Sequence, residues 1–125
     1  IENKNKLINT NDEDYVVSES IDVITMIEVF HEISENKRGS VLKNIFKLLK
    51  KNGYLIILDE TMPERKNLKN PEANLAVLTQ YNEMTWGNVV PKASEQEELL
   101  VAAGFSQPDR KLIGGLFTLL TCIRL

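Results

Sequence analysis

The sequence predicts an α/β chain: a mostly parallel sheet flanked by helices, with an antiparallel hairpin at its C-terminal end. Three observations carry that expectation. The run YLIIL at 54–58 is apolar at every position instead of every second one, the composition of a strand covered on both faces. Within residues 21–58 a strand-like run, a helical run and this second strand follow one another, the order of a right-handed crossover unit. The C-terminal runs RKLI and LFTLLTCIRL are joined by Gly114 and Gly115, two residues that accept positive φ and so signal a hairpin.

Taken in order, KLINT at 6–10 reads as a short strand, and NDEDYVVSES after it as a loop tethered through Tyr15, Val16 and Val17. Residues 21–26 are rich in β-branched side chains and form the first firm strand. Ser34 is a helix N-cap, Val41, Leu42, Ile45, Phe46, Leu48 and Leu49 repeat at helical spacing, and Gly53 supplies the stop. Asn70 caps a further helix with Pro71 at its first position; it runs to about Trp86 and ends at Gly87. Ser94 and Glu97 form a capping box that opens a short helix stopped by Gly104. There is no internal repeat or low-complexity segment.

Composition narrows the function. With 125 residues, 42% hydrophobic and 26% charged, the chain suits one domain with one core. A net charge of −3 gives no general reason to bind nucleic acid, and the cations Lys37, Arg38, Lys43, Lys47, Lys50 and Lys51 read as a solvated helix face. The single cysteine, Cys122, excludes an internal disulfide framework and a thiolate metal cage, which suits a cytoplasmic setting, and in an apolar run it reads as core. No stretch approaches the roughly 20 apolar residues of a membrane span, and IENKNK is not a signal peptide. A first residue of isoleucine fits a piece of a longer polypeptide.

The ordered set of an acidic residue opening a hydrophobic strand, EVFHEI at its end, LLKKNGYLIILDE, a Trp-Gly segment, LLVAAGF and a final hairpin resembles the C-terminal half of a class I, S-adenosylmethionine-dependent methyltransferase, in its small-molecule or O-methyltransferase-like branch. The resemblance implies a partial Rossmann-like methyltransferase sheet, S-adenosylmethionine as cofactor of the full-length parent, and a small-molecule methyl acceptor. All six glycines, at 39, 53, 87, 104, 114 and 115, lie outside the glycine-rich turn by which the family admits its cofactor, and the acidic residue that holds the ribose is absent too. Residues 1–125 are therefore expected to be a single truncated methyltransferase domain, inactive alone. Its first firm strand should expose an edge, hidden by KLINT or by a second copy, hence an expected homodimer.

In open α/β sheets ligands bind beyond the carboxyl ends of the strands. This explains why Glu28, His31 and Glu32 follow so apolar a strand. The resemblance implies that Met26, Ile27 and Glu28 line the methionine end of the cofactor, and that Asn11 or Asp12 meets the adenine. His31 and Glu60 are the candidates for catalysis, each set against a plainer role: a packed or capping histidine, a solvated carboxylate. Asp59 shares the strand end with Glu60, and Asp22 lies at the opposite end and reads as structural. Glu28, His31 and Glu32 have helical metal-ligand spacing, but one histidine without a second cluster predicts no metal. The histidine base of O-methyltransferases has no positional match, because the one histidine follows a different strand. MIEVFHEI stands where base-amino methyltransferases carry Asn/Asp-Pro-Pro-aromatic, which argues against that chemistry. TQYNEMTWGNVV, with Tyr81, Met84 and Trp86, resembles the segment that closes over substrate in small-molecule members, which implies Tyr81 and Trp86 as pocket walls; for Tyr81 and Met84 a helix packing its apolar face on the sheet is the equal alternative. The alternative to an enzyme piece is a non-enzymatic methyltransferase-like dimerisation or interaction module. A receiver or nucleotide-binding domain is disfavoured, because no phosphate-binding glycine loop or receiver-type acidic cluster is present.

Overall fold

The β-branched run IDVITMI forms a strand, β1 (Ile21–Ile27), and the chain returns through helix α1 (Glu35–Leu48) to a long parallel neighbour, β2 (Leu49–Glu60). A computed structural model describes residues 18–114 and 116–125; the expected strand KLINT lies outside them. Helix α2 (Pro71–Thr85), helix α3 (Ala93–Ala103) and the strands β3 (Asp109–Gly114) and β4 (Phe117–Ile123) complete the chain. The sheet order is β1-β2-β4-β3. As expected, the chain is α/β with a C-terminal antiparallel hairpin. Because β4 folds back to lie beside β2, the sheet is mixed: parallel between β1 and β2, antiparallel from β2 onward.

Burial follows chemistry along each element. In α1, Arg38, Leu42, Ile45, Phe46 and the following Leu49 share one stripe and turn toward the sheet. In α3, Gln96 and Leu100 do the same, with Leu99 and Ala103 at their flanks. The two helices pack on the face carrying Leu55, Ile57, Leu120 and Cys122, and the Phe46 and Phe105 rings meet edge to face at 5.3 Å. Gly104, at φ 107, ends α3; a Cβ there would stand 2.9 Å from the Phe46 ring.

Several expectations are corrected. The first helix stops at Leu48, not Gly53, because the amides of Glu19 and Ser20 take its last carbonyls and Leu49 pairs with Ile21. Gly53 lies inside β2, where a Cβ would come within 2.8 Å of the Lys50 carbonyl oxygen and 3.0 Å of that of Asp22. Helix α3 opens two residues earlier than the Ser94 box: Lys92 is its N-cap, its amide donates to Glu95, and the Ser94 hydroxyl instead donates to Glu64. Gly114 lies within β3, paired with Phe117, so it belongs to the strand and not to the turn; Gly115 lies outside the described residues. Among the described residues YLIIL is well covered on one face: Leu55 and Ile57 are buried, whereas Tyr54 is 45% exposed and Ile56 and Leu58 are half-buried. Val23 and Ile27 of β1 continue that open face, since they pair with Tyr54 and Leu58. Among the described residues the outer edge of β1 has no neighbouring strand. Asp22 pairs with Lys50 at 2.8 Å, a structural role at the strand start. Of the cationic helix face, Lys37, Lys43 and Lys47 are exposed as expected but Arg38 is buried.

Candidate active site

The parallel pairing of β1 and β2 brings their carboxyl ends side by side, with Ile27 opposite Leu58. Beyond this point the two strands diverge. Glu28 takes φ 55, a left-handed conformation unusual for a side chain of its size, while its amide still donates to the Leu58 carbonyl at 2.9 Å. That turn swings the chain into a 3-10 turn, Phe30–Glu32, whose Phe30 is fully buried and anchors it to the core.

His31 is thereby carried onto Asp59. The His31 amide donates to Asp59 Oδ2 at 3.1 Å, and Nδ1 of its ring lies 2.5 Å from Asp59 Oδ1, which also accepts from the Glu60 amide at 2.8 Å. A carboxylate in this position can only accept, so Nδ1 carries the proton and Nε2 is left with the lone pair of the neutral ring. Nε2 lies 3.7 Å from Glu83 Oε2 on the last turn of α2, and Asn88 holds that oxygen with a 2.8 Å bond from Nδ2. His31 and Asp59 are both buried.

Arg38 closes the turn from the other side. Its guanidinium donates from Nε to the Ile33 carbonyl at 2.9 Å and from Nη2 to the His31 carbonyl at 3.2 Å and to the Val89 carbonyl. Its cation also lies over the Phe30 ring, 5.4 Å from the centroid.

The electrostatics are those of one imidazole among carboxylates. Burial acts to lower the His31 pKa, but the Asp59 hydrogen bond and charge, with the charges of Glu83 and Glu60, outweigh it and raise it above its ordinary value. Glu28 and Glu60 are both raised, chiefly by burial; the Asp59 charge adds to Glu28 and the Glu28 charge to Glu60, while His31 opposes both shifts. Glu28 Oε1 and Glu60 Oε2 are buried atoms with no hydrogen-bond partner among the described residues. Burial lowers Arg38. A base at Nε2, a fixed tautomer and two carboxyls without internal partners can receive a proton from a bound molecule and hold its polar groups.

The residues expected from the sequence fare differently. His31, Glu28 and Glu60 converge here. Met26 faces the core, Ile27 the open face of the sheet, and Asn11 and Asp12 lie outside the described residues. Tyr81 and Trp86 are 70% and 81% exposed, so no wall is built by either among the described residues. An open cleft of about 330 Å³ instead runs between residues 32–36 and 87–89, lined by Glu32, Ile33, Asn36, Asn88 and Val89 among others. No group of three or more His, Cys, Asp or Glu is placed to hold a metal ion among the described residues, and no described helix is long and apolar enough to cross a membrane. Sequence reasoning missed the pairing of His31 with Asp59, 28 residues away, and the parts of Glu83 and Arg38. The signal for the first was present: HE follows β1 within five residues and the parallel β2 ends in DE, at the same edge of the sheet.

A methyltransferase-domain family matches residues 3–57. No curated protein sequence matches the chain significantly. Among solved structures, PigF with SAH superposes with a TM-score of 0.70 at 24% identity, over 83% of this chain and 34% of that one. An O-methyltransferase family protein from Burkholderia thailandensis gives 0.66 at 22% identity, over 82% and 30%. Human N-acetylserotonin methyltransferase, in complex with SAM, gives 0.69 at 18% identity, over 87% and 30%. This chain thus spans about a third of the length of these proteins, and at such identities the likeness is one of fold. Residues 3–57 are thus similar in sequence to a methyltransferase domain, and the fold of the chain is similar to that of methyltransferases solved with SAH or SAM.

Proposed function

We propose that this chain is the acceptor-side half of a methyltransferase that moves a methyl group from S-adenosylmethionine to a small molecule, with His31 as the general base. The observation that supports this reading is the buried Asp59–His31 pair at the carboxyl ends of two parallel strands. Glu28 fits contact with the cofactor: its Oε1 is a buried acceptor lacking a partner among the described residues, suited to a cationic donor. Met26 and Ile27 would contribute backbone beside it, and Asn11 or Asp12 would meet the adenine. The glycine-rich turn and ribose-binding acid, absent from this sequence, would come from further polypeptide.

When bound, the cofactor supplies an electrophilic methyl on a sulfonium. The chain's own residues manage the proton. Asp59 keeps Nδ1 protonated, so Nε2 can take a proton from an acceptor hydroxyl or amine, and Glu83 at 3.7 Å stabilises the imidazolium that results. The Asp59 contact at Nδ1 supports this role for His31, one of the two candidates the sequence offers. Glu60, with a buried free oxygen, is suited to holding the acceptor.

The test is transfer of labelled methyl from S-adenosylmethionine to small hydroxylated and aminated acceptors by the natural polypeptide that contains this chain. His31→Gln is expected to lower kcat by about 10²–10⁴-fold, the usual worth of a positioned base. A rate unchanged by that substitution would refute His31 as base. The 125-residue chain itself is expected not to bind S-adenosylmethionine at micromolar strength in a calorimetric titration.

A further inference from the structure

We infer that Arg38 is a positioning residue that holds Glu83 against the His31 ring, by clamping the histidine turn to the segment that follows α2. The inference rests on His31 being the working group of the site. Arg38 is 3% exposed, yet its partners are backbone carbonyls: His31 and Ile33 in the turn, Val89 beyond α2. If packing over Phe30 were its whole purpose, an apolar side chain would fill the space without the cost of burying a cation. A guanidinium is instead the one side chain whose planar fork of donors can bridge carbonyls of two separate segments at once.

What it bridges is functional. Val89 follows Asn88, whose Nδ2 donates to Glu83 Oε2 at 2.8 Å and whose amide donates to the Glu83 carbonyl at 3.0 Å. Val90, on the other side, donates its amide to Gln80 Oε1 at 2.8 Å. Fixing Val89 therefore fixes the end of α2 on which Glu83 sits. Asp59 sets the ring from β2, Arg38 sets the backbone of the same residue from α1, and the distance between Nε2 and Glu83 is decided by whether the clamp is closed. The other ionisable groups around the ring, Glu28 after β1 and Glu60 at the end of β2, are not reached by this clamp.

The chain has one histidine, so its imidazole titration can be followed by NMR without assignment ambiguity. Arg38→Lys keeps the charge but cannot serve the three carbonyls together. Arg38→Lys, Asn88→Ala and Glu83→Gln are each expected to lower the His31 midpoint, and Arg38→Lys/Glu83→Gln to lower it no further than Glu83→Gln alone. An unchanged midpoint in Arg38→Lys with a lowered Tm would overturn the inference, leaving Arg38 a packing residue. Additive shifts in the double variant would overturn it too, because Arg38 would then act independently of Glu83. Should Arg38→Lys fail to fold, Asn88→Ala decides the matter: it leaves Arg38 in place and releases Glu83, and an unaltered midpoint there refutes the clamp. None of these readouts requires methyl transfer, so failure of the clamp and failure of His31 as base are separately visible.

Discussion

Glu28 combines a left-handed backbone with a setting that disfavours its charge. A glutamate at φ 55 costs about 1 kcal/mol, and its raised pKa shows that the site disfavours its charge. Glu28→Gly relieves both, and is expected to stabilise the fold by about 1 kcal/mol in denaturant titrations while impairing the proposed cofactor contact. A loss of stability would show that the bend is not strained. Asp59 is the opposite case. It is buried and accepts from two amides and one ring nitrogen, so Asp59→Ala strands buried donors and is expected to cost about 3 kcal/mol or more by the same measurement. Asp59→Asn is expected to lower the His31 midpoint, because it removes the negative charge that, with the hydrogen bond, outweighs burial.

At the scale of elements, two glycines separate the demands of helix and sheet. Gly39 lies in α1 with nothing within 4 Å of where a Cβ would stand, so Gly39→Ala is expected to stabilise by about 0.5–1 kcal/mol through helix propensity. Gly53 lies where β2 passes under the start of β1, and a Cβ would meet two backbone carbonyls that cannot move independently of the sheet. Gly53→Ala is expected to cost about 1–3 kcal/mol, read as a fall in Tm. If both substitutions acted alike, close approach would not be the reason for glycine at 53. The open face formed by Val23, Ile27, Tyr54, Ile56 and Leu58 is an element-scale exposure as well, apolar side chains on the face of the sheet opposite α1 and α3 that no described helix covers.

For the molecule as a whole, the ionisable site sets how stability depends on pH. Glu28 and Glu60 have folded pKa values above the ordinary 4.5, so the native state retains protons that the unfolded chain has shed, and stability falls as pH rises from about 4.5 through their raised values. The folded pKa of His31 is raised above 6.5, so its contribution is fully present below 6.5 and is lost as pH rises through the folded value. The three act in one direction. Denaturation midpoints are expected to fall on going from about pH 5 into the alkaline range, with Glu28→Gln and Glu60→Gln flattening the acid part and His31→Gln the upper part; a rise across that window would contradict the electrostatic reading. The edge of β1, unpaired among the described residues, and the open face beside it predict self-association of the 125-residue chain, so light scattering should give more than a monomer's mass. A monomer at all concentrations would remove the proposed edge-to-edge homodimer.

Local patterns in the sequence determined much of this protein: the strand over 21–26, the helical stripe of Leu42, Ile45 and Phe46, the start of α2 at Asn70 and Pro71, and the placing of Glu28, His31 and Glu60 beyond the carboxyl ends of β1 and β2. Those features are written in side-chain periodicity, capping residues and the chirality of crossovers, which act over a few residues or follow a general rule. Tertiary structure alone decided the end of α1 at Leu48, because the amides that claim its carbonyls belong to Glu19 and Ser20. It also decided that YLIIL is covered on one side, since covering depends on which helices pack there. The site was half legible for the same reason. A histidine at a strand end is visible in one dimension, but its tautomer is set by Asp59 and its setting by Glu83 and Arg38, and those contacts exist only once β1, β2 and the end of α2 are brought together.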